Sequence, residues 1–152
     1  MDWQTASWIA NVVLAIGVVP TVALTWWGIR QGSKNQLYVQ YVARYQNIIV
    51  NLPPDVFSEG NKIASVEEDK KVWLTAYIDL CAEELFDHKR GAISKKTWQD
   101  WSGFIRDDFK RSLPLRERVV GMMTDYPELL AFLNEDEALR KELTAVRALR
   151  KL

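Results

Sequence analysis

The stretch from Trp3 to Ile29, WQTASWIANVVLAIGVVPTVALTWWGI, carries no ionisable side chain. A hydrocarbon core of roughly 30 Å needs about 20 helical residues, so this run can span a bilayer with a modest tilt. Trp3 and Trp8 stand at one end, Trp26 and Trp27 at the other. A helix from Trp8 to Trp26 rises about 27 Å, at roughly 1.5 Å per residue. That is close to the separation of the two interfacial belts where indole prefers to sit. A cleaved leader would want a positive first segment and a small-residue cleavage site. Here Asp2 precedes the core, no Lys or Arg does, and paired Trp closes it. Pro20 and the length of the run disfavour a buried helix of a soluble domain. Residues 1–30 therefore read as a retained transmembrane anchor. Arg30 and Lys34 follow the run, against Asp2 alone before it. Positive-inside logic then puts the N-terminus outside and residues 31–152 in the cytoplasm.

The whole chain has 152 residues, with twenty Lys plus Arg against twenty Asp plus Glu and a formal net charge of zero. Zero net charge argues against a constitutive nucleic-acid coat, so no stable DNA binding is expected. One Cys (Cys81) and one His (His88) exclude an internal disulfide and the common Cys/His zinc sites.

Beyond the anchor, caps and periodicity predict about six helices. Ser33 with Gln36 forms a capping box opening a helix to Leu52, before Pro53 and Pro54. Along it Tyr38, Tyr41, Tyr45, Ile48 and Leu52 form a heptad-like seam, whose ordinary reading is packing against its own domain. Ser65 with Glu68 opens a second helix, with Trp73, Leu74, Tyr77, Ile78, Cys81 and Leu85 on its buried side. Lys89, Arg90 and Gly91 stop it. Ser94 begins a third, carrying Trp98, Trp101, Ile105 and Phe109. Leu113–Pro114 begins a fourth, running through Val119, Val120 and Met123. Asp125 with Glu128 caps a fifth around Leu129 to Leu133. Asn134 with Glu137 caps the last, with the stripe Leu139, Leu143, Val146 and Leu149. No segment alternates strictly between hairpin turns, so the expected class is all-α.

Chemistry-bearing signals are sparse. Asp79, Glu83, Glu84, Asp87 and His88 share one helix, and carboxylates at i, i+4 can bind a metal when a second helix supplies ligands. Only Asp107–Asp108 offers such a second set, so a solvated, partly paired acidic face is the expectation, with no metal and no cofactor. No nucleophile elbow, Walker loop or dinucleotide fingerprint is present, which leaves an enzyme reading only as an unrecognised carboxylate site. Charge is segregated instead. Lys95, Lys96, Arg106, Lys110 and Arg111 lie on or beside the helix that holds Trp98 and Trp101, while residues 119–139 carry only acids. Cations beside aromatic rings suit an anionic, nucleotide-like ligand, since a base can stack while Arg holds phosphate. The ordinary role of those two Trp is packing in the core.

The stretch EELFDHKRGAISKKTWQDWSGFIRDDF resembles a group of small bacterial single-pass membrane proteins with a helical cytosolic domain. The residues that carry this are Glu83, Glu84, Gly91, Ile93, Trp98 and Trp101. The resemblance implies topology and a bacterial inner membrane, not a chemistry. The overall plan is also similar to that of membrane effectors of bacterial defence, including CRISPR-associated ones that bind a cyclic oligoadenylate. The resulting expectation is a non-enzymatic, homo-oligomeric membrane protein. Its domain would sense an anionic ligand such as a cyclic nucleotide and act through its membrane helices in phage defence. The alternative is a constitutive membrane-tethered adaptor for a protein partner.

Overall fold

A computed structural model describes residues 34–53, 56–57 and 68–150, together with Leu24, Thr25, Gly28 and Gly32. The chain divides into two compact units, Met1–Leu37 and Tyr38–Leu152. The transmembrane reading of Trp3–Ile29, with its belt residues Trp3, Trp8, Trp26, Trp27 and Arg30, falls outside the described residues except at Leu24, Thr25 and Gly28, which are helical. Among the described residues no helix is long and apolar enough to cross a membrane.

Every regular element among the described residues is a helix, in agreement with the all-α expectation. Residues 34–51 form α1. Five helices follow: α2 (Glu68–Lys89), α3 (Lys95–Arg111), α4 (Leu113–Gly121), α5 (Pro127–Asn134) and α6 (Glu137–Leu149). The core gathers around α4, which packs on α2, α3 and α6 and buries Leu115 and Val119 completely. Phe109 of α3, Leu133 of α5, and Leu139 and Leu143 of α6 are equally closed to solvent. Polar ties fasten the same helices together. The Arg118 Nε donates to Thr75 Oγ1 at 2.9 Å, Lys89 meets Glu128 at 2.8 Å, and Arg116 meets Glu142 at 2.9 Å. Arg116 also donates to the carbonyl of Phe109 at 2.7 Å, satisfying the open end of α3.

Two helix ends follow the sequence reading closely. Past α2, the Gly91 N–H donates to the His88 carbonyl and the Ala92 N–H to the Asp87 carbonyl, both at 2.9 Å. Gly91 makes this reversal with φ of 75°, a left-handed backbone that a side chain would oppose. Ser94 then caps α3, its Oγ accepting from the Thr97 N–H at 3.1 Å. Two other caps differ from expectation. Pro127 fixes the first turn of α5, so Tyr126 takes the cap position without a side-chain bond, and Asp125 lies one residue too early. Asn134 ends α5, and the cap of α6 is Asp136, which accepts from the Leu139 N–H at 3.1 Å. Helix α4 stops at Gly121, leaving Met123 exposed beyond it. Leu149, the last member of the α6 stripe, is also exposed.

Candidate functional site

The five basic residues do not converge. Lys95 and Lys96 sit exposed at the start of α3, some eleven residues or roughly 16 Å of helix from Arg106. Arg106 lies 2.7 Å from Glu135 and its guanidinium covers the Phe132 ring at 4.3 Å. Lys110 lies 2.7 Å from Asp136. Both cations are thereby committed to the α5–α6 turn, and the hydrogen bond from Lys110 holds the Asp136 carboxyl below its ordinary range, helped by the Leu139 N–H. Arg111 is exposed, with its charge acting on Asp108. Each of the two Trp rings also packs on other rings. Trp98 stacks on His88 at 4.7 Å and tilts against Phe132 at 5.4 Å, and Trp101 stacks on Tyr38 at 5.5 Å.

The acidic residues of α2 are largely taken up by neighbouring helices. Asp79 accepts from the Tyr126 hydroxyl, Glu83 pairs with Arg44 of α1, and Asp87 accepts from the Tyr41 hydroxyl at 2.9 Å. His88 leans on Trp98, and its Nδ1 has no hydrogen-bond partner among the described residues. Among the described residues, no group of three or more His, Cys, Asp or Glu side chains is arranged to hold a metal.

Glu84 behaves differently. It lies seven residues after Tyr77 and three after Cys81, so helical geometry carries it onto the apolar side of α2. Its side of the helix faces an open cavity of about 250 Å³. Helix α1 contributes Tyr41, Val42 and Tyr45 to the lining. From α2 come Tyr77, Leu80, Cys81 and Glu84, and from α3 Trp101, Phe104 and Ile105. Glu84 is the one acidic side chain in that lining, and it is only 8 % exposed. None of the described residues hydrogen-bonds its carboxyl. Burial pushes Glu84 up to about 7; Arg44 opposes this and Glu83 adds to it. Burial likewise raises the Tyr45 and Tyr77 hydroxyls and the Cys81 thiol.

The tyrosines of the wall are held from behind. Tyr41 donates to Asp87 and meets the edge of Trp101 at 5.7 Å; Tyr77 donates to Asp108 and leans on Tyr45 at 6.2 Å. Burial raises the Asp108 carboxyl, although the Tyr77 hydroxyl counters part of that. The arrangement is an aromatic box with one carboxyl that no described residue hydrogen-bonds. The sequence reading grouped Glu84 with the solvated acids; the signal that singles it out is an acid at the register of Tyr77 and Cys81. No family model, no curated protein and no solved structure matches the chain.

Proposed function

We propose that this chain is a membrane-tethered, non-enzymatic sensor: residues 1–30 span the inner membrane with the N-terminus outside, and the helical domain binds a small ligand in the cytoplasm. The ligand site is the cavity between α1, α2 and α3 rather than the basic residues of α3. The observation that supports this is the composition of the cavity wall. Tyr41, Val42 and Tyr45 belong to α1, the helix that follows the apolar run in the chain. A ligand seated there has differential contacts with any two positions of α1, which is what a ligand-driven shift in population requires. The output is a change in self-association of the membrane-anchored chains.

The test uses the full chain in lipid nanodiscs or liposomes. Val42→Trp fills part of the cavity and mimics occupancy. The expected result is an altered distribution of chemically cross-linked oligomers relative to wild type, with helicity by circular dichroism unchanged. An identical distribution in the folded variant would set the sensor aside. A constitutive adaptor is the second reading, and one observation favours it. Phe104 and Val39 are 69 % and 63 % exposed, more than large apolar side chains need be, and Phe104 borders a shallow groove with Tyr38 and Trp101.

A further inference from the structure

We infer that the cavity between α1, α2 and α3 takes a small organic cation, an ammonium group carried on an apolar body, with Glu84 as its counter-ion. This rests on the reading of the cavity as a ligand site and adds the chemical class of the ligand. Five aromatic side chains line the wall, Tyr41, Tyr45, Tyr77, Trp101 and Phe104, and aromatic rings attract a desolvated cation through their quadrupoles. A neutral apolar molecule would be served as well by Leu and Val, and it would cover the Glu84 carboxyl at the open cavity without giving it a partner, which is costly. An anion would meet Glu84 inside the cavity and the acids Glu83, Asp87 and Asp108 around it. Arg44 is the nearby cation, and it is already paired with Glu83. A ligand ammonium supplies the missing partner, and the rings shield the pair from water. At about 250 Å³ the space lies below the roughly 300–1,000 Å³ of drug-sized pockets, so the ligand is small.

Binding and protonation are linked, because the ammonium pairs with the ionised carboxyl. The charged or titratable groups that act on Glu84 or that it acts on are Tyr41, Arg44 and Tyr45 from α1 and Cys81 and Glu83 from α2; Tyr77 lines the same wall, with Asp108 of α3 behind it. Burial lifts the tyrosine and cysteine groups further from neutrality and Arg44 stays charged, while the cavity carboxyl, Glu84, is pushed up to about 7; Asp108 is also raised by burial but does not line the cavity.

The experiment is calorimetric titration of the full chain in detergent with 2-phenylethylammonium and, separately, with the neutral 2-phenylethanol. Wild type is compared with Glu84→Gln, which keeps the shape and removes the charge. The amine should bind wild type at least tenfold tighter than the alcohol, and Glu84→Gln should remove that preference while leaving the alcohol unchanged. Between pH 6 and pH 8 the amine's affinity for wild type should rise about tenfold, as expected for a carboxyl titrating near 7. The variant should show a flat profile. Equal binding of amine and alcohol, or an amine affinity that survives Glu84→Gln, would overturn the cation and keep the cavity as an apolar ligand site. No binding of either probe would overturn both readings.

Discussion

A carboxyl placed among Tyr, Leu and Trp side chains without a hydrogen bond disfavours its own charged form, and that preference is a statement about stability. The Glu84 pKa stands near 7 in the folded chain against an ordinary value of 4.5. Its contribution is therefore fully present below about pH 4.5 and is lost as pH rises through about 7, because the unfolded chain ionises first. A shift of this size corresponds to a cost on the order of 3 kcal/mol at pH 8, at about 1.4 kcal/mol per unit. Glu84→Gln should remove the charge but still bury an amide, so a net gain of about 1–2 kcal/mol at pH 8 is expected. At pH 4.5 the two proteins should differ little. Asp108 is raised by burial too, but it is present in both proteins and cancels in the comparison. Thermal melts of the full chain in detergent at the two pH values check this. A variant less stable than wild type at pH 8 would mean that the carboxyl has a partner after all. A residue that lowers stability where it sits fits a role in binding better than a role in packing.

At the level of the helix, what was legible depended on whether a signal had a competitor. Ser94 and Gly91 are read correctly because nothing else nearby can cap or reverse the chain. Asp125 and Asn134 are misread because Asx-x-x-Glu recurs by chance in a charged, helical sequence. Pro127 and Asp136 hold stronger claims to the same helix starts. The stripes of α3 and α6 were visible from their periodicity, and Ile105, Phe109, Leu139, Leu143 and Val146 are buried as expected. The cavity was not legible, since it needs the tyrosines of α1 to stand opposite α2 and α3, and helical periodicity carries no information about which helices meet. The same gap concerns the basic residues. Arg106 and Lys110 reach Glu135 and Asp136 of the α5–α6 turn, and Arg106 also covers Phe132. Exposed pairs contribute about 0.2–1 kcal/mol each, and a cation over a ring about 0.5–1 kcal/mol. Arg106→Ala/Lys110→Ala should therefore cost about 1–2 kcal/mol in chemical unfolding of the full chain. A double variant that keeps its stability but loses affinity for a cyclic nucleotide would instead return the ligand site to α3.

For the molecule as a whole, the decisive fact is that the second unit closes its own core. Phe109, Leu115, Val119, Leu133, Leu139 and Leu143 are sealed by helices that all lie within Tyr38–Leu152. The twenty-seven uncharged residues from Trp3 to Ile29 are the stretch proposed above to span a membrane. A bilayer accepts a helix of this length and rewards Trp at its two interfaces. A charge at the centre of such a helix costs roughly 2.5–3.5 kcal/mol on insertion scales, enough to shift a marginal anchor out of the membrane. Ile16 lies near the middle of the run, eight residues after Trp8 and ten before Trp26. Ile16→Arg should therefore move the chain from the carbonate-resistant membrane pellet to the supernatant or to degradation. The helicity of α2 to α6 should persist in whatever chain survives. A reporter fused after Leu152 should report the cytoplasm in the wild type, as the positive-inside reading of Arg30 and Lys34 expects. A variant that still resists carbonate extraction would show that membrane attachment does not run through this helix. A periplasmic reporter signal would invert the orientation and place the aromatic cavity outside the cell, where its cation would have to come from the medium.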